Sequence, residues 1–274
     1  MKPIIFQKEG RALGTAAKQD RPIGVFDSGL GGISVLAALR RVLPKEHFIY
    51  YGDAANAPYG DRSEAQVREL TLRAAEHLTS HNIKALVVAC NTATGAAVNA
   101  LREKYAFPVI GMEPALKPAA QVPGSRVLVL ATPRTLQQEK FLHLLQQWEK
   151  VVKVIALPAE GLAGLIEDTG PENPYILPYL QTLLQPYVGR VDALVLGCTH
   201  YPFVLPQIRQ VLGDVPVFDG RAGTARQLKR RLEEEHLLRC FGTGSVTLES
   251  SAEQALTLAQ ALLAREEQEE TDEV

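Results

Sequence analysis

One short pattern occurs twice in this chain, and the repetition strongly constrains how it can fold. Residues 85–92 read Ala-Leu-Val-Val-Ala-Cys-Asn-Thr, and residues 193–200 read Ala-Leu-Val-Leu-Gly-Cys-Thr-His. Each apolar run is too short for a typical helix and ends in turn-type residues, which predicts a buried parallel strand. Ligands of open α/β folds bind beyond the carboxyl ends of such strands. We therefore expect Cys90 and Cys198 to face one pocket from two halves of the molecule.

The rest of the chain alternates apolar runs of strand length with helical stretches. The predicted strands are Ile23–Phe26, Phe48–Tyr51, Leu86–Ala89, Pro108–Ile110, Val127–Ala131, Val152–Leu157, Leu194–Gly197 and Val215–Phe218. The predicted helices are Ile33–Leu43, Ser63–Ser80, Thr94–Tyr105, Thr135–Gln147, Pro174–Val188, Phe203–Leu212 and Thr224–Leu238. This alternation predicts an α/β protein with mainly parallel, doubly wound sheets.

Proline clusters indicate where the chain crosses between two lobes. Pro114, Pro118 and Pro123 mark a first crossing, and residues 213–216 mark a return. The predicted segments are a flexible N-terminal extension (1–20), a first lobe (21–115 plus 216–265), a second lobe (116–215) and an acidic tail that frays (266–274). We expect the active site in the cleft between the lobes.

Charge and cysteine content exclude several classes of protein. The chain has 29 Lys and Arg against 31 Asp and Glu, a formal net charge of -2, which predicts no nucleic-acid or anionic-lipid partner. No apolar run approaches a membrane span, and the charged N-terminus does not resemble a secretory signal. Three cysteines do not form a disulfide framework. We predict a soluble cytoplasmic protein.

A glycine-rich turn is the second candidate element. Residues 25–32, Val-Phe-Asp-Ser-Gly-Leu-Gly-Gly, end a strand in Asp27 and Ser28 and lead into a helix. The turn would either bring backbone N–H groups to an anion or only make a tight connection with Asp27 as a cap. Its spacing is not that of a dinucleotide fingerprint. Further small or polar residues at strand ends and in nearby loops would ring the same pocket: Tyr59, Gly60, Asn91, Thr92, Thr132, Thr199 and His200.

Two thiols across one pocket permit several kinds of chemistry. Cys90, Cys198 and His200 could ligate a metal, although structural zinc sites favour closely spaced ligand pairs that this chain lacks. Nucleophilic catalysis needs only one thiolate. Proton transfer at opposite faces of a carbon needs two groups, a thiolate that removes a proton and a thiol that supplies one. Free cysteine is also a small buried hydrophobe, the interpretation we favour for Cys240.

The sequence resembles the cofactor-independent aspartate/glutamate racemase superfamily, and within it the glutamate branch. The resemblance is carried by residues 24–32, 58–60, 89–93 and 197–202, in the family's order. It implies two pseudosymmetric α/β lobes, a monomer or homodimer, and interconversion of L- and D-glutamate without cofactor or metal. The D-glutamate would supply peptidoglycan synthesis.

The same resemblance implies roles for individual residues. Cys90 would act on the D-enantiomer and Cys198 on the L-enantiomer, with Asp27, His200 and a second-lobe glutamate, Glu167, assisting the thiols. The implied substrate-binding residues are Asp27, Ser28, Tyr59, Gly60, Asn91, Thr92, Thr199 and His200, to which the strand-end pattern adds Thr132.

Alternatives stay open at this point. The same scaffold could carry an aspartate racemase, a metal-dependent lyase or hydrolase, or an amino-acid-binding protein without activity. Some relatives respond to a nucleotide-linked muramyl-alanine, a peptidoglycan precursor, so we also expect an activator site at the hinge. Its predicted cationic donors are Lys2, Lys8, Arg11, Lys18, Lys117 and Arg126.

Overall fold

Nine strands form two separate sheets in the computed structural model, which describes residues 18–121 and 125–269. They are β1 (Ile23–Asp27), β2 (His47–Gly52), β3 (Ala85–Val88), β4 (Val109–Gly111), β5 (Arg126–Ala131), β6 (Lys153–Pro158), β7 (Ala193–Leu196), β8 (Val217–Asp219) and β9 (Ser245–Ser250). The first sheet has the order β4-β3-β1-β2-β9 and the second β6-β5-β7-β8. All neighbouring strands are parallel. The predicted α/β fold is confirmed.

Helices connect these strands and cover the sheets. They are α1 (Gly32–Val42), α2 (Glu64–Ser80), α3 (Asn91–Lys104), α4 (Leu116–Ala119), α5 (Pro133–Gln137), α6 (Glu139–Trp148), α7 (Leu162–Thr169), α8 (Ile176–Leu184), α9 (Leu205–Leu212), α10 (Arg221–Glu234) and α11 (Ala255–Glu269). Helix α2 begins at a capping box formed by Ser63 and Gln66, which satisfies backbone N–H groups of its first turn. In the described part of the chain, none of these helices has the length and hydropathy of a membrane span.

Burial explains why the central strands are apolar throughout. Every residue of β1, β3 and β7 is buried, because helices cover the faces of each parallel sheet. One apolar cluster continues from Val25 and Leu36 in the first sheet and its helix to Leu130 and Leu196 in the second sheet. The two sheets are therefore joined by shared core as well as by the chain, and the carboxyl ends of β1, β3 and β7 supply Asp27, Cys90 and Cys198 to one region.

The return crossing lies later than the sequence predicted. Strand β8 pairs with β7 in the second sheet, so residues 217–219 do not belong to the first lobe. The predicted crossing near residue 216 is wrong, because the short Val-Phe-Asp run completes the second sheet before the chain turns at Gly220. We define the first lobe as residues 21–115 and 220–269, and the second lobe as residues 116–219.

Both predicted termini need correction where the structure describes them. Residues 18–20 form a short 3-10 helix, and the Gln19 carbonyl accepts a hydrogen bond from Lys84 Nζ at 2.6 Å. Helix α11 continues to residue 269, and Glu266 pairs with Arg221 at 3.0 Å, so the tail does not fray from 266. The remainder of both segments, residues 1–17 and 270–274, lies outside the described residues.

Candidate active site

Both strand-end cysteines line one small cavity between the lobes. The residues around it are Ser28, Pro58, Tyr59, Gly60, Cys90, Asn91, Thr92, Thr132, Ala163, Gly197, Cys198, Thr199 and His200. Cys90 and Cys198 are 5% and 7% exposed. The cavity measures about 10 Å³, which is room for about one water molecule. The structure thus brings together ten of the twelve predicted site residues, and the other two, Asp27 and Glu167, lie behind this lining.

Cys90 occupies the N-cap of α3, where its sulfur accepts a hydrogen bond from the Ala93 N–H at 3.4 Å. Burial, the largest cause, and the nearby Asp27 carboxylate together raise the pKa of the Cys90 thiol to about 12, although hydrogen bonds from the Ala93 N–H and the Ser28 hydroxyl lower it. The described site therefore holds Cys90 as a neutral thiol at physiological pH. That form is the one that can supply a proton.

Cys198 has a different neighbour, the imidazole of His200. The Cys198 sulfur lies 3.5 Å from His200 Nδ1, and His200 Nε2 contacts the Glu167 carboxylate. Burial alone would lower the pKa of His200, but the charges of Glu167 and Cys198 and their hydrogen bonds raise it well above the usual value. The second lobe thus places a carboxylate, an imidazole and a thiol in one hydrogen-bonded row.

The glycine-rich turn allows the two lobes to touch. A Cβ atom at Gly29 would overlap the Glu167 carboxylate, and one at Gly31 would overlap Thr199 and His200. The Leu30 N–H donates to Glu167 Oε1 at 2.6 Å. The glycines thus serve close approach between lobes: Gly29 and Gly31 make room for second-lobe side chains, and the backbone of the turn donates to a protein carboxylate.

Asp27 lies at the base of this contact and is fully buried. Its Oδ1 accepts from the Gly29 N–H at 3.0 Å, and its Oδ2 accepts from the Thr199 hydroxyl at 3.1 Å. Burial raises the pKa of the Asp27 carboxyl, although His200 opposes the shift. Asp27 therefore caps the turn and also joins the first lobe to the residue that follows Cys198.

Asn91 is the polar side chain of the cavity that the protein itself leaves unsatisfied. Both its Oδ1 and its Nδ2 are buried without a hydrogen-bond partner. A buried amide without partners is costly, and native proteins rarely keep one without a use. The side chain follows Cys90 directly, so its donor and acceptor are available to a ligand in the cavity.

Several predicted binding residues form hydrogen bonds with other residues of the protein. The Tyr59 hydroxyl donates to Asp53 Oδ2 at 2.7 Å, so its ring lines the cavity while its polar end is committed elsewhere. The Thr92 hydroxyl lies 3.2 Å from that of Thr132 and 3.0 Å from that of Thr135. This hydroxyl cluster links the first lobe to the second.

Gln138 forms a contact between the lobes that the sequence did not predict. Its Nε2 donates to the Thr92 carbonyl at 2.8 Å, and a Cβ at Gly95 would overlap its amide. The predicted helix 135–147 is interrupted at this residue, whose extended backbone (φ -70°, ψ 139°) separates α5 from α6. A contact between the lobes overrides helical periodicity here, and no local pattern could have indicated it.

The metal-site alternative requires Cys90, Cys198 and His200 to converge. Within residues 18–121 and 125–269, a single group of three potential ligands has its atoms within 4.8 Å of one another, and it consists of His77, His81 and Glu249. The cysteines are not in that group. The ligand atoms of Cys90, Cys198 and His200 therefore do not all lie within 4.8 Å of one another.

Comparison of the sequence with known proteins identifies racemases as relatives of this chain. Residues 23–228 match the family model for Asp/Glu/hydantoin racemases. A glutamate racemase of Clostridium acetobutylicum is 50% identical over 223 residues, which are 80% of this chain and 87% of that protein.

Solved structures of relatives share the fold. Glutamate racemase from Thermus thermophilus in complex with β-chloro-D-alanine is 36% identical, with a TM-score of 0.75 over 89% of this chain and 93% of that one. The Escherichia coli enzyme, in complex with L-glutamate and the activator UDP-MurNAc-Ala, is 32% identical, with a TM-score of 0.75 over 90% and 95% of the two chains.

Proposed function

This chain belongs to the Asp/Glu/hydantoin racemase family and interconverts L- and D-glutamate, and we propose that Cys90 and Cys198 carry the proton transfer. The observation that carries this assignment is two buried thiols, from the ends of strands in different sheets, that line one small cavity. Catalysis at a stereocentre needs groups on both faces of the carbon, and two lobes supply them.

The reaction follows from these positions. One cysteine, as the thiolate, takes the α-proton, and the thiol on the opposite face donates its proton to the resulting carbanion, which inverts the centre. We assign Cys198 to L-glutamate and Cys90 to D-glutamate. The neutral Cys90 thiol donates the proton in the L-to-D direction. On the opposite face Cys198 takes the α-proton, and the hydrogen-bonded row from Cys198 through His200 to Glu167 assists this transfer.

The carbanion needs electrostatic stabilisation, because an α-proton beside a carboxylate is far less acidic than a thiol near pKa 8.5. The unpaired Asn91 amide is the best-placed donor for the substrate carboxylate, and the hydroxyls of Ser28, Thr92 and Thr199 surround the same space. We assign Asp27 and His200 as positioning residues that hold Thr199 and Cys198.

Substrate entry requires the lobes to separate. A cavity of about 10 Å³ accepts one water molecule and not an amino acid. Opening would break the contacts of Leu30 with Glu167 and of Gln138 with Thr92. Closure restores them and excludes water from the carbanion.

The test is an optical assay. Circular dichroism of L-glutamate should decay to zero in the presence of the protein without any added cofactor, whereas L-aspartate should decay far more slowly. Faster decay of L-aspartate would overturn the choice of substrate, and no decay of either would support a binding protein. Inhibition by a chelator that zinc relieves would support the metal alternative.

D-Glutamate is a component of peptidoglycan, and we assign the reaction to precursor supply in the cytoplasm. An enzyme that depends on two unbridged thiols suits a reducing compartment.

A second cavity supports an activator site at the hinge. It measures about 760 Å³ and is lined by residues of both lobes, including Arg41, Arg102, Glu113, Pro118 and Arg226. Guanidinium groups bind phosphates well, and we infer that a nucleotide-linked muramyl-alanine binds here, as UDP-MurNAc-Ala accompanies the E. coli enzyme.

The cationic donors predicted from the sequence need correction. Lys18, Lys117 and Arg126 do not line the hinge cavity, and Arg126 is held by Asp192 at 3.1 Å. The other predicted donors, Lys2, Lys8 and Arg11, lie outside the described residues. The arginines of α1, α3 and α10 replace them because the topology, and not the sequence neighbourhood, brings these helices to the hinge.

Racemisation rates with and without UDP-MurNAc-Ala test the activator site. We expect activation in the full chain and its loss in Arg102→Ala and Arg226→Ala, while Arg190→Ala, an exposed arginine outside the cavity, behaves as the wild type. A form beginning at Lys18 keeps the Gln19 contact and isolates the contribution of residues 1–17. Equal rates with and without the precursor in the full chain would overturn the activator proposal and leave the racemase assignment intact.

A further inference from the structure

A cluster of three potential metal ligands lies on the first lobe, outside both cavities. His77 lies in the last turn of α2, His81 follows four residues later as the C-cap of that helix, and Glu249 lies on β9, the edge strand of the first sheet. Glu249 Oε2 is 2.7 Å from His77 Nε2 and 3.4 Å from His81 Nε2. Two nitrogens and one oxygen thus lie within 4.8 Å of one another.

We propose that His77, His81 and Glu249 bind a divalent transition metal ion such as Zn²⁺ or Ni²⁺. Imidazole nitrogen and carboxylate oxygen are ligands that these ions prefer, and histidines at i and i+4 of a helix present their rings to one side. The ligand atoms lie within 4.8 Å of one another, so small side-chain rotations bring them to a shared ion. Each imidazole binds the ion through an unprotonated Nε2, so a proton on that nitrogen moves to Nδ1 or to water.

The surroundings suit such a site. The three side chains are 44%, 32% and 26% exposed, which leaves an open path for the ion and room for water as a further ligand. The Tyr51 ring lies 4.6 Å from the His77 ring and restricts its rotation. The residues belong neither to the cysteine cavity nor to the hinge cavity.

A bound ion would fasten α2 to the edge strand. Among the described strands, β9 pairs with β2 alone, and its residues are half-exposed or exposed, so it has less support from packing than the central strands. A ligand that binds only the folded state stabilises it by mass action. At a metal concentration about 100 times the Kd, the unfolding midpoint should rise by about 5 °C for a chain of this size.

The test is calorimetric titration of the full chain, without a polyhistidine tag, with Ni²⁺ and with Zn²⁺. We expect His77→Ala and His81→Ala to weaken metal binding by at least about tenfold. Even the loss of a residue that only supports a metal ligand lowers metal affinity by about 10–100-fold. His143→Ala is the matched control, since His143 also faces a glutamate, Glu139, at i-4 but has no third ligand. The metal-dependent rise of the midpoint should disappear in the two α2 variants and persist in the control.

Unchanged affinity in both α2 variants would overturn the proposal, because the metal would then be held elsewhere, for example by the cysteines. If an alanine variant fails to fold, Glu249→Gln preserves the size of the side chain and a hydrogen-bond acceptor while removing the charge. Wild-type affinity in a folded Glu249→Gln would also contradict a site that uses this carboxylate.

Discussion

The first lobe and the second lobe each present a cysteine from the same strand-end pattern, but they surround it with different groups. Cys90 caps a helix of 14 residues and lies near Asp27, whose charge adds to burial in keeping the thiol protonated. Cys198 precedes a short 3-10 turn and contacts an imidazole that a carboxylate supports. The positions of the two cysteines correspond between the lobes, whereas their hydrogen-bond partners do not.

In the proposed mechanism, this difference lets the two thiols begin the reaction in unlike protonation states. A racemase must hold one acid and one base at the same time, and two thiols in identical surroundings would share the same protonation state. The surroundings resolve this, because the first lobe favours a neutral thiol and the second lobe provides His200 as a proton partner. The asymmetry comes from residues that flank the repeated pattern, and not from the pattern.

The largest expected effect comes from removing either thiol. Cys90→Ala and Cys198→Ala should each lower the rate of racemisation in both directions by about 100- to 10,000-fold, which is the usual contribution of a general acid or base. Folding should survive, because loss of one sulfur costs about 1–3 kcal/mol by analogy with small core truncations. Cys240→Ala, at an exposed cysteine outside the cavity, should keep full activity. Near wild-type rates in either active-site variant would show that one lobe suffices.

The second-largest effect is expected from substitutions in the glycine-rich turn, where the first lobe contacts the second. Gly29→Ala and Gly31→Ala place a methyl group against Glu167 or against Thr199 and His200, which should cost about 1–3 kcal/mol of stability. A displacement of about 1 Å can reduce catalysis about 100-fold. Gly164→Ala is the control, since a Cβ there meets nothing within 4 Å and alanine favours the helix. Wild-type activity in Gly29→Ala would mean that the closed contact is dispensable.

A smaller effect on activity is expected when the negative charge beside His200 is removed. In Glu167→Gln the pKa of His200 should fall, because the Glu167 carboxylate is the largest influence that raises it. In the profile of kcat/KM against pH, the limb that reports the titration of His200 should move to lower pH. Nitrogen NMR of the His200 ring would report the same shift. Glu139→Gln, beside the exposed His143, should leave the profile unchanged.

The same variant has a predictable effect on stability. The pKa of His200 is higher in the folded protein than the unfolded value of about 6.5, so its contribution is fully present below about pH 6.5. That contribution is lost as the pH rises through the folded pKa. Urea unfolding should therefore show the largest deficit of Glu167→Gln in mildly acidic solution and a shrinking deficit at alkaline pH. A deficit that grows with pH would contradict the assigned direction.

Local patterns explain what the sequence predicted well. All eight predicted strands are present, and the cysteines lie at their ends, because apolar runs and turn residues are properties of neighbouring positions. Strand β9 was missed since Ser-Val-Thr-Leu-Glu-Ser is a half-exposed edge strand without an apolar run. The break at Gln138, the approach of Glu167 to Leu30 and the arginines of the hinge cavity depend on contacts between distant segments, which no local pattern records.

The most direct test of the two-lobe mechanism is the fate of the α-proton in deuterated water. Each enantiomer of glutamate is supplied separately, and product and remaining substrate are analysed early by mass spectrometry after chiral separation. We expect deuterium at Cα of the product, because the donating thiol has exchanged with solvent, and protium in the remaining substrate, because the other thiol returns the proton it removed. Deuterium entering substrate and product at equal rates, or protium carried into the product, would contradict it.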